Sequence, residues 1–261
     1  MPDEIIRFDD GAGYERYMGK WSQLAGEVFL DWLAPKPGLR WLDVGCGNGA
    51  YTEMIVNRGA PSSVEGIDPF EGQLAFARAR PAARLAKFQL GDAMAIPFND
   101  DAFDAAVMPL VIFFVPVPAK GVAEMARVVR PGGAVTAYAW DMLGGGFPYD
   151  GLHLEMRALG VNVPRPPSSD ASRLDAMKAL WNGAGLKDVE TREIEVKRTF
   201  DGFDDYWTTI LRGPSVAAKL AAMSPESIEL LKGRMRARLP ADAAGRITYG
   251  ARANAIKGIA P

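Results

Sequence analysis

The chain of 261 residues has very little of the residue types that build disulfide frameworks and metal centres. It contains one cysteine, Cys46, and one histidine, His153. A lone cysteine cannot form an intrachain disulfide, and secreted proteins more often carry an even set, so the expected compartment is the cytoplasm. The sequence also shows no clear acidic metal site, and no bound metal is predicted.

Long apolar runs and an excess of one charge are lacking as well. The longest nearly apolar stretch, residues 105–119, contains three prolines and is too short to span a bilayer. The first residues begin acidic and lack the basic-then-apolar order of a signal peptide. These absences predict a soluble protein without a membrane partner.

Acidic and basic residues nearly balance, with 30 Lys and Arg against 32 Asp and Glu and a net charge of −2. The basic residues are dispersed, and the Arg234–Arg238 cluster is more typical of a solvated helix face than of a nucleic-acid surface. Hydrophobic residues at 48% and charged residues at 24% are ordinary globular values. We expect a single domain whose partner is a small molecule, and the oligomeric state stays open.

Short apolar runs alternate with helical patterns over the first half of the chain. The runs are Leu39–Val44, Ser63–Ile67, Leu85–Leu90, Phe103–Met108 and Ala134–Trp140. Helical patterns cover Tyr51–Asn57, Glu71–Arg80 and Lys120–Val129, and further on Asp170–Gly185. Apolar strands that alternate with helices indicate a parallel sheet covered on both faces. The prediction is a doubly wound, Rossmann-like α/β fold, which continues with a more exposed strand at Val189–Val196 and a last strand at Arg246–Ile256.

Two segments are not required by this core. Residues 142–169 are rich in Gly and Pro, and residues 203–239 are mostly helical in pattern. Both leave from or return to the last three strands, beside the crevice where open α/β sheets bind ligands. We therefore expect the two segments to be helical cap insertions that cover the active site.

The stretch WLDVGCGNG at residues 41–49 carries the clearest chemistry. It runs from a strand through three glycines into a helix, and glycine allows both a tight turn and the close approach of a ligand. The next strand ends at Asp68, 19 residues after Gly49, where a carboxylate can accept from both hydroxyls of a ribose. The glycine-rich turn and Asp68 together predict a nucleoside-binding site.

A nicotinamide-dependent reductase is one alternative for such a site. Its fingerprint Gly-x-Gly-x-x-Gly needs a glycine at position 50, where this chain has Ala50. The sequence also lacks an evident Tyr-x-x-x-Lys pair. Both features disfavour a dinucleotide.

Four segments together resemble the class I S-adenosylmethionine-dependent methyltransferases, close to the small-molecule branch of ubiquinone biosynthesis. They are LDVGCGNG, GIDP, GDAMAIPFNDDAFD and RVVRPGGAVTAYAWD, within a region from Tyr14 to Trp140. The resemblance implies a seven-stranded sheet, mostly parallel with an antiparallel last strand. It also implies S-adenosylmethionine as the cofactor and transfer of its methyl group to a small acceptor.

The resemblance assigns residues to each part of the cofactor. Asp43 and the backbone of Gly45, Cys46, Gly47 and Asn48 lie near its methionine part, and Asp68 holds the ribose. Asp92 accepts from the adenine amino group, the Ala93 amide binds a ring nitrogen, and Pro69 and Met94 pack on the ring. Met108 faces the amino acid end of the cofactor or belongs to the core.

Other candidates have two interpretations each. Tyr17, Met18 and Trp21 either pack a helix on the core or close over the cofactor. Cys46 fills the loop rather than acting as a nucleophile, because no base is near it in sequence. His153 is either a satisfied or exposed histidine or a general base for the acceptor.

Aromatic residues around the two insertions favour an apolar or aromatic acceptor. The candidates for binding it are Trp140, Phe147, Trp207 and Arg212, although such aromatic residues are more often core. The Asn-Pro-Pro-aromatic signature of amide and adenine methylation is missing after Met108, as is a Pro-Cys pair for cytosine. The sequence thus predicts a methyltransferase for a small organic acceptor, with a non-catalytic S-adenosylmethionine-binding protein as the alternative.

Overall fold

A computed structural model describes residues 15–261, apart from the side chains of Arg16, Ala82, Ala83, Pro214 and Ser215. Seven strands form one sheet with the order β3-β2-β1-β4-β5-β7-β6. The strands are β1 Arg40–Val44, β2 Ser63–Asp68, β3 Ala86–Leu90, β4 Phe103–Pro109, β5 Val129–Trp140, β6 Lys187–Phe200 and β7 Ile247–Ile259. The chain starts from β1, steps outward to β3, and returns across β1 to β4.

Nine α-helices flank this sheet in the part of the chain that the structure describes. They are α1 Lys20–Leu33, α2 Ala50–Arg58, α3 Glu71–Arg78, α4 Pro118–Val128, α5 Asp150–Ala158, α6 Leu174–Gly183, α7 Phe203–Ile210, α8 Pro214–Ala221 and α9 Pro225–Arg238. A short π-helical turn, Glu15–Gly19, leads into α1. Helices on both faces bury the central strands, which explains why β1 and β4 are almost continuously apolar.

Strands β1 to β5 are mutually parallel, and β7 runs antiparallel to both of its neighbours, β5 and β6. The doubly wound fold predicted from the alternating pattern is therefore confirmed, and so are the seven strands and the antiparallel last strand that the resemblance implies. The exposed alternation of β6 is also explained, because β6 is an edge strand with one solvated face.

Two local predictions differ from the structure. The pattern at 170–185 predicts one helix, but Arg173 adopts an extended backbone, and a short 3₁₀ turn at Ser169–Ser172 precedes α6. The pattern at 131–133 predicts a turn before the fifth strand, but β5 already begins at Val129. The register between β5 and β4 shifts at this point, because Val129 pairs with Phe103 and the next pair is Ala134 with Ala105. The Pro-Gly-Gly segment therefore forms a bulge-like irregularity near the start of β5.

The last two strands extend well beyond the rest of the sheet. Strand β5 ends at Trp140, which pairs with Ala253, whereas β6 and β7 continue as a two-stranded ribbon up to the Phe200–Ile247 pair. These six further pairs project about 20 Å past the carboxyl end of β5. Helices α7 to α9 connect the two strands of this ribbon, so residues 203–239 lie on the carboxyl side of the sheet.

The segment after β5 lies on the same side. Backbone hydrogen bonds join Gly146 to Arg252 of the ribbon, and the Arg252 guanidinium forms an ion pair with Asp141 at 2.6 Å. Helix α5 then packs along α9, where Glu155 bonds to Arg234 and Arg238. Among the described residues, no helix is long and apolar enough to cross a membrane.

Candidate active site

The glycine loop after β1 is fastened to the end of β2. The Gly47 amide donates to Asp68 Oδ2 at 3.0 Å, and the Phe70 amide donates to Oδ1 at 2.9 Å. The amides of Gly45 and Cys46 both donate to the Ile67 carbonyl. Burial raises the pKa of Asp68 while the two amide hydrogen bonds oppose the rise. The aspartate is thus held in one orientation at the carboxyl edge.

Gly47 is the one glycine of this loop with open space beside it. It has φ +53°, and an added Cβ would meet only Gln73 Oε1, at 3.8 Å. A Cβ on Gly45 would lie 2.6 Å from the Val111 side chain, and one on Gly49 would lie 2.9 Å from Ala77. Gly45 and Gly49 are therefore needed for packing, whereas the space beside Gly47 is available for a ligand.

Asp43, at the end of β1, is fully buried. The Thr52 hydroxyl donates to Asp43 Oδ2 at 2.6 Å, and Oδ1 has no hydrogen-bond partner in the structure. Burial raises the pKa of this carboxyl to about 7, against the opposing effect of the Thr52 hydrogen bond. A buried carboxylate oxygen without a donor is costly, so this atom is suited to a cationic ligand group. The sequence did not indicate Thr52 as its partner.

A polar network closes the outer side of the glycine loop. The Arg80 guanidinium bonds to the Asn48 carbonyl at 2.6 Å, to Glu53 at 2.8 Å and to Glu15 at 2.7 Å. The side-chain amide of Asn48 donates from Nδ2 to Glu15 Oε2 at 2.8 Å. The network fastens the turn before α1 to the loop. Sequence reasoning missed Arg80, because an arginine just past the end of a helix carries no distinctive pattern.

The residues assigned to adenine lie at the outer end of the same crevice. Asp92 is exposed, and its Oδ1 accepts from the Met94 amide at 2.8 Å. Ala93 and Met94 are half-buried, and Pro69 is exposed next to Asp68. The structure thus brings these four residues to one rim, and their contacts to adenine stay predictions.

Two residues of the assigned set are packed inward. Cys46 is buried, its Sγ lies 3.0 Å from the Cβ position of Gly66, and burial raises the pKa of its thiol. Such a thiol is a poor nucleophile. Met108 is fully buried with its Cε 3.7 Å from the Cβ position of Gly121 in α4. Its side chain therefore packs against a helix, which favours the core interpretation.

Tyr17, Met18 and Trp21 are all buried in the turn before α1 and its first residues. The Tyr17 ring stacks on Tyr149 with centroids 4.3 Å apart, and the Tyr149 hydroxyl donates to the Tyr17 carbonyl. The turn is thereby joined to the insertion after β5. Tyr14, which extends the same spacing, lies outside the described residues.

The four residues predicted for the acceptor lie in different places. Trp140 is buried at the end of β5, and none of the described residues accepts from its Nε1. Phe147 is half-buried beside Tyr149. Trp207 stacks on Phe203 and lies under Lys232 within the helical insertion, and Arg212 is exposed. Phe147 thus packs within the insertion after β5 and Trp207 within the helical insertion, and the binding of an acceptor by these four residues stays a prediction.

His153 lies in α5 with its ring 5.3 Å from that of Phe147. Burial first, and the Arg157 charge second, lower the pKa of the imidazole to about 4. A neutral histidine with so low a pKa is a weak general base at neutral pH. Its base role stays a prediction, and this environment argues against it.

The single histidine makes a direct test of this pKa possible. We expect one imidazole signal in the NMR spectrum that keeps its neutral shifts at pH 6 and titrates only near pH 4. Because the folded pKa lies below the unfolded value near 6.5, the contribution of His153 to the free energy of unfolding should fall by about 2 kcal/mol between pH 7 and pH 5, which the difference between wild type and His153→Gln measures. His153→Gln should remove that loss, and a titration midpoint above pH 6 would contradict the burial argument.

The described residues contain no group of three or more His, Cys, Asp and Glu side chains that could hold a metal ion. A seven-stranded sheet of this order, with a glycine loop after β1 and an aspartate after β2, defines the Rossmann-like methyltransferase fold.

Comparison with known proteins agrees with that class. A family model described as a methyltransferase domain matches residues 42–137. A ubiquinone/menaquinone biosynthesis C-methyltransferase of Roseobacter denitrificans is 35% identical over 121 residues, which cover 45% of this chain and 48% of that protein. An uncharacterised protein of Mycobacterium tuberculosis is 30% identical over 192 residues, covering 70% of this chain and 67% of that one. The chain thus spans about half the length of the first of these relatives.

Among solved structures, a Haemonchus contortus phosphoethanolamine N-methyltransferase in complex with S-adenosyl-L-methionine superposes with a TM-score of 0.58 at 18% identity. The match covers 96% of this chain and 56% of that one, and it shows a shared fold. The chain belongs to the class I S-adenosylmethionine-dependent methyltransferases, as the motifs predicted, and S-adenosylmethionine is the cofactor of this family.

Proposed function

We propose that the protein transfers a methyl group from S-adenosylmethionine to a small organic acceptor bound beneath the insertions at 142–169 and 203–239. The observation that carries the proposal is the line of groups along the carboxyl edge: buried Asp43 with a free oxygen, open Gly47, and Asp68 held by two amides. Each matches one part of the cofactor.

These residues fit the cofactor in charge as well as in shape. The ammonium of its methionine part suits Asp43 Oδ1, which has no other donor, and the ribose hydroxyls suit Asp68, whose oxygens keep further lone pairs. The space beside Gly47 admits the ligand between them. The exposed carboxylate of Asp92 suits the adenine amino group at the outer rim.

The bound cofactor supplies an electrophilic methyl carbon on a positively charged sulfur. The chain's own residues would hold that carbon in line with the acceptor and exclude water from the crevice. Tyr17, Met18 and Trp21, buried over the edge, support the exclusion of water. A carboxylate or thiolate acceptor needs no base, and His153 with its low pKa would contribute little to a phenol.

Binding and turnover test the proposal separately. We expect S-adenosylhomocysteine to bind in calorimetry, and labelled methyl groups to pass from S-adenosylmethionine to members of a small-molecule acceptor library. Binding without any transfer would support the non-catalytic alternative. Binding of a nicotinamide cofactor, with none of S-adenosylhomocysteine, would contradict the proposal.

Asp43 adds a pH-dependent prediction. Its folded pKa of about 7 lies above the unfolded value, so its neutral form favours the fold, and that contribution is lost as pH rises through 7. The ammonium of the ligand favours the charged form. We therefore expect binding of S-adenosylhomocysteine to release a proton below pH 7 and to tighten about tenfold between pH 6 and pH 8.

Calorimetry in two buffers of different ionisation enthalpy measures this proton release. The matched control is Asp43→Asn, which keeps the shape but cannot ionise. The variant should bind more weakly at pH 8, show no proton release and gain thermal stability at pH 8. A wild-type affinity that does not change from pH 6 to pH 8 would argue against contact between Asp43 and the ammonium.

A further inference from the structure

A cluster of phenols around one guanidinium lies where the β6–β7 ribbon projects past the sheet. We define the Arg198 cluster as Tyr17, Tyr149, Arg198, Tyr206 and Tyr249. Arg198 and Tyr249 are directly opposite each other on the paired strands. The Arg198 Cζ lies 4.3 Å from the ring centroid of Phe200, and this ring stacks on Tyr249 at 5.7 Å. The arginine thus lies in the apolar phase of β6, between Val196 and Phe200.

Three donors of the cluster are buried without an acceptor among the described residues: Arg198 Nη1, Tyr17 Oη and Tyr249 Oη. Within residues 15–261, no carboxylate forms an ion pair with Arg198, although most arginines of the chain have one. A buried donor of this kind costs free energy unless a ligand or water accepts from it. The three buried donors together indicate a site for an acceptor of hydrogen bonds.

The charge of the cluster selects the kind of ligand. Burial raises the pKa of Tyr17 and of Tyr249, so their phenols are neutral donors at pH 7. Arg198 contributes one positive charge. A single guanidinium balances one carboxylate and matches its planar geometry, whereas a phosphate dianion would leave a negative charge buried.

The cluster also adjoins the proposed methyl-donor site. Tyr17 belongs to the turn whose Glu15 bonds to Asn48 of the glycine loop at 2.8 Å. The Tyr149 hydroxyl donates to the Tyr17 carbonyl at 2.9 Å. A ligand held at Arg198 would therefore lie on the inner side of the turn that borders the glycine loop.

We propose that the methyl acceptor is a small carboxylic acid whose carboxylate is bound by Arg198 together with the Tyr17 and Tyr249 hydroxyls. The inference rests on the proposed methyltransferase function and adds the acceptor's class. The carboxylate is an anchor and is not itself methylated. Another nucleophilic atom of the acceptor bonds to the methyl carbon as the carbon–sulfur bond breaks. The sulfonium takes the electron pair, and any proton on the nucleophilic atom passes to water.

The test uses hydroxybenzoates, aminobenzoates and hydroxyphenylalkanoates, each with its uncharged carboxamide. Binding to the protein loaded with S-adenosylhomocysteine is measured by calorimetry, and turnover by release of S-adenosylhomocysteine. We expect the best acid to exceed its amide at least tenfold in kcat/KM. Arg198→Gln should reduce this ratio to about two, Arg198→Lys should restore part of it, and inorganic phosphate should compete only weakly.

Lys197→Gln is the matched control, because Lys197 is an exposed neighbour on the opposite face of β6 and the change removes the same charge. It should leave the ratio unchanged, and all variants should bind S-adenosylhomocysteine within twofold of wild type. Should Arg198→Gln not fold, Tyr249→Phe removes one hydroxyl alone and should lower the ratio several-fold.

The outcomes separate the two proposals. Amides as active as their acids, an acid preference that survives Arg198→Gln, or a methyl ester as the product would each overturn the carboxylate anchor. Methylation of library compounds that lack a carboxylate, with no acid methylated, would also overturn it, whereas failure of every member of the wider acceptor library would instead contradict the proposed function. Inhibition of turnover by inorganic phosphate that is stronger than inhibition by benzoate would overturn the carboxylate as the anchor and indicate a phosphate monoester in its place.

Discussion

Gly47→Val should abolish binding of S-adenosylmethionine, at least a hundredfold in affinity, while the protein stays folded. The added Cβ would meet only Gln73 Oε1, at 3.8 Å, so this atom has no clash and the side chain extends into the space proposed for the ligand. Because the backbone has φ +53°, a β-branched residue is also strained, by about 1–2 kcal/mol. Calorimetry with S-adenosylhomocysteine measures the affinity, and thermal unfolding measures the strain.

Gly160→Val separates strain from ligand contact. Gly160 also has a positive φ, +79°, with open space around it, but it follows α5 and is remote from the glycine loop in sequence. It should lose similar stability and keep its cofactor affinity. Gly45→Val, which would collide with Val111, should fail to fold well. Normal affinity in a folded Gly47→Val protein would mean that the loop does not approach the ligand.

Asp68→Ala should weaken cofactor binding about 10-fold to 100-fold, which corresponds to about 1–3 kcal/mol. The change removes the acceptor proposed for two ribose hydroxyls. It also releases the amides of Gly47 and Phe70, so the loop loses its fixed position. Asp68→Asn keeps one side-chain oxygen, and its cofactor affinity should lie between those of wild type and Asp68→Ala.

Asp104→Ala is the control, because Asp104 is bound by Arg40 and Arg130 at the opposite, amino edge of the sheet. The two guanidinium groups hold the pKa of Asp104 well below its usual range. This variant should lose stability and leave cofactor affinity unchanged. If Asp68→Ala bound S-adenosylhomocysteine as tightly as Asp104→Ala does, the ribose assignment would be refuted.

Periodicity and motif order were enough to predict the core. Continuous apolar strands such as β1 and β4 can only be buried between helices, and the Gly-rich turn can only follow a parallel strand at its carboxyl end. The spacing from Gly49 to Asp68 placed both residues at one edge, because consecutive parallel strands end there. Local sequence patterns were therefore enough to bring the residues predicted for the cofactor to one edge of the sheet.

Contacts between segments far apart in the chain could not be predicted from local sequence patterns. The Arg80 network joins residues 15, 48, 53 and 80, and the Tyr17–Tyr149 stack spans 132 positions, so no local pattern contains either. One feature of the sequence could have indicated Arg198: it is a charged residue at a position where the alternation of β6 requires an apolar one. Its meaning depended on what α1 and the insertion place around it.

By itself the sequence determined the sheet and the family and predicted the carboxyl edge as the site, because strand burial and glycine-loop chemistry act over a few neighbouring residues. The tertiary structure alone decided which glycine faces open space, which aspartate oxygen lacks a donor and which guanidinium lacks a carboxylate. These are properties of packing between segments far apart in the chain. A buried donor without an acceptor, or open space beside a glycine, exists only once those segments pack against each other.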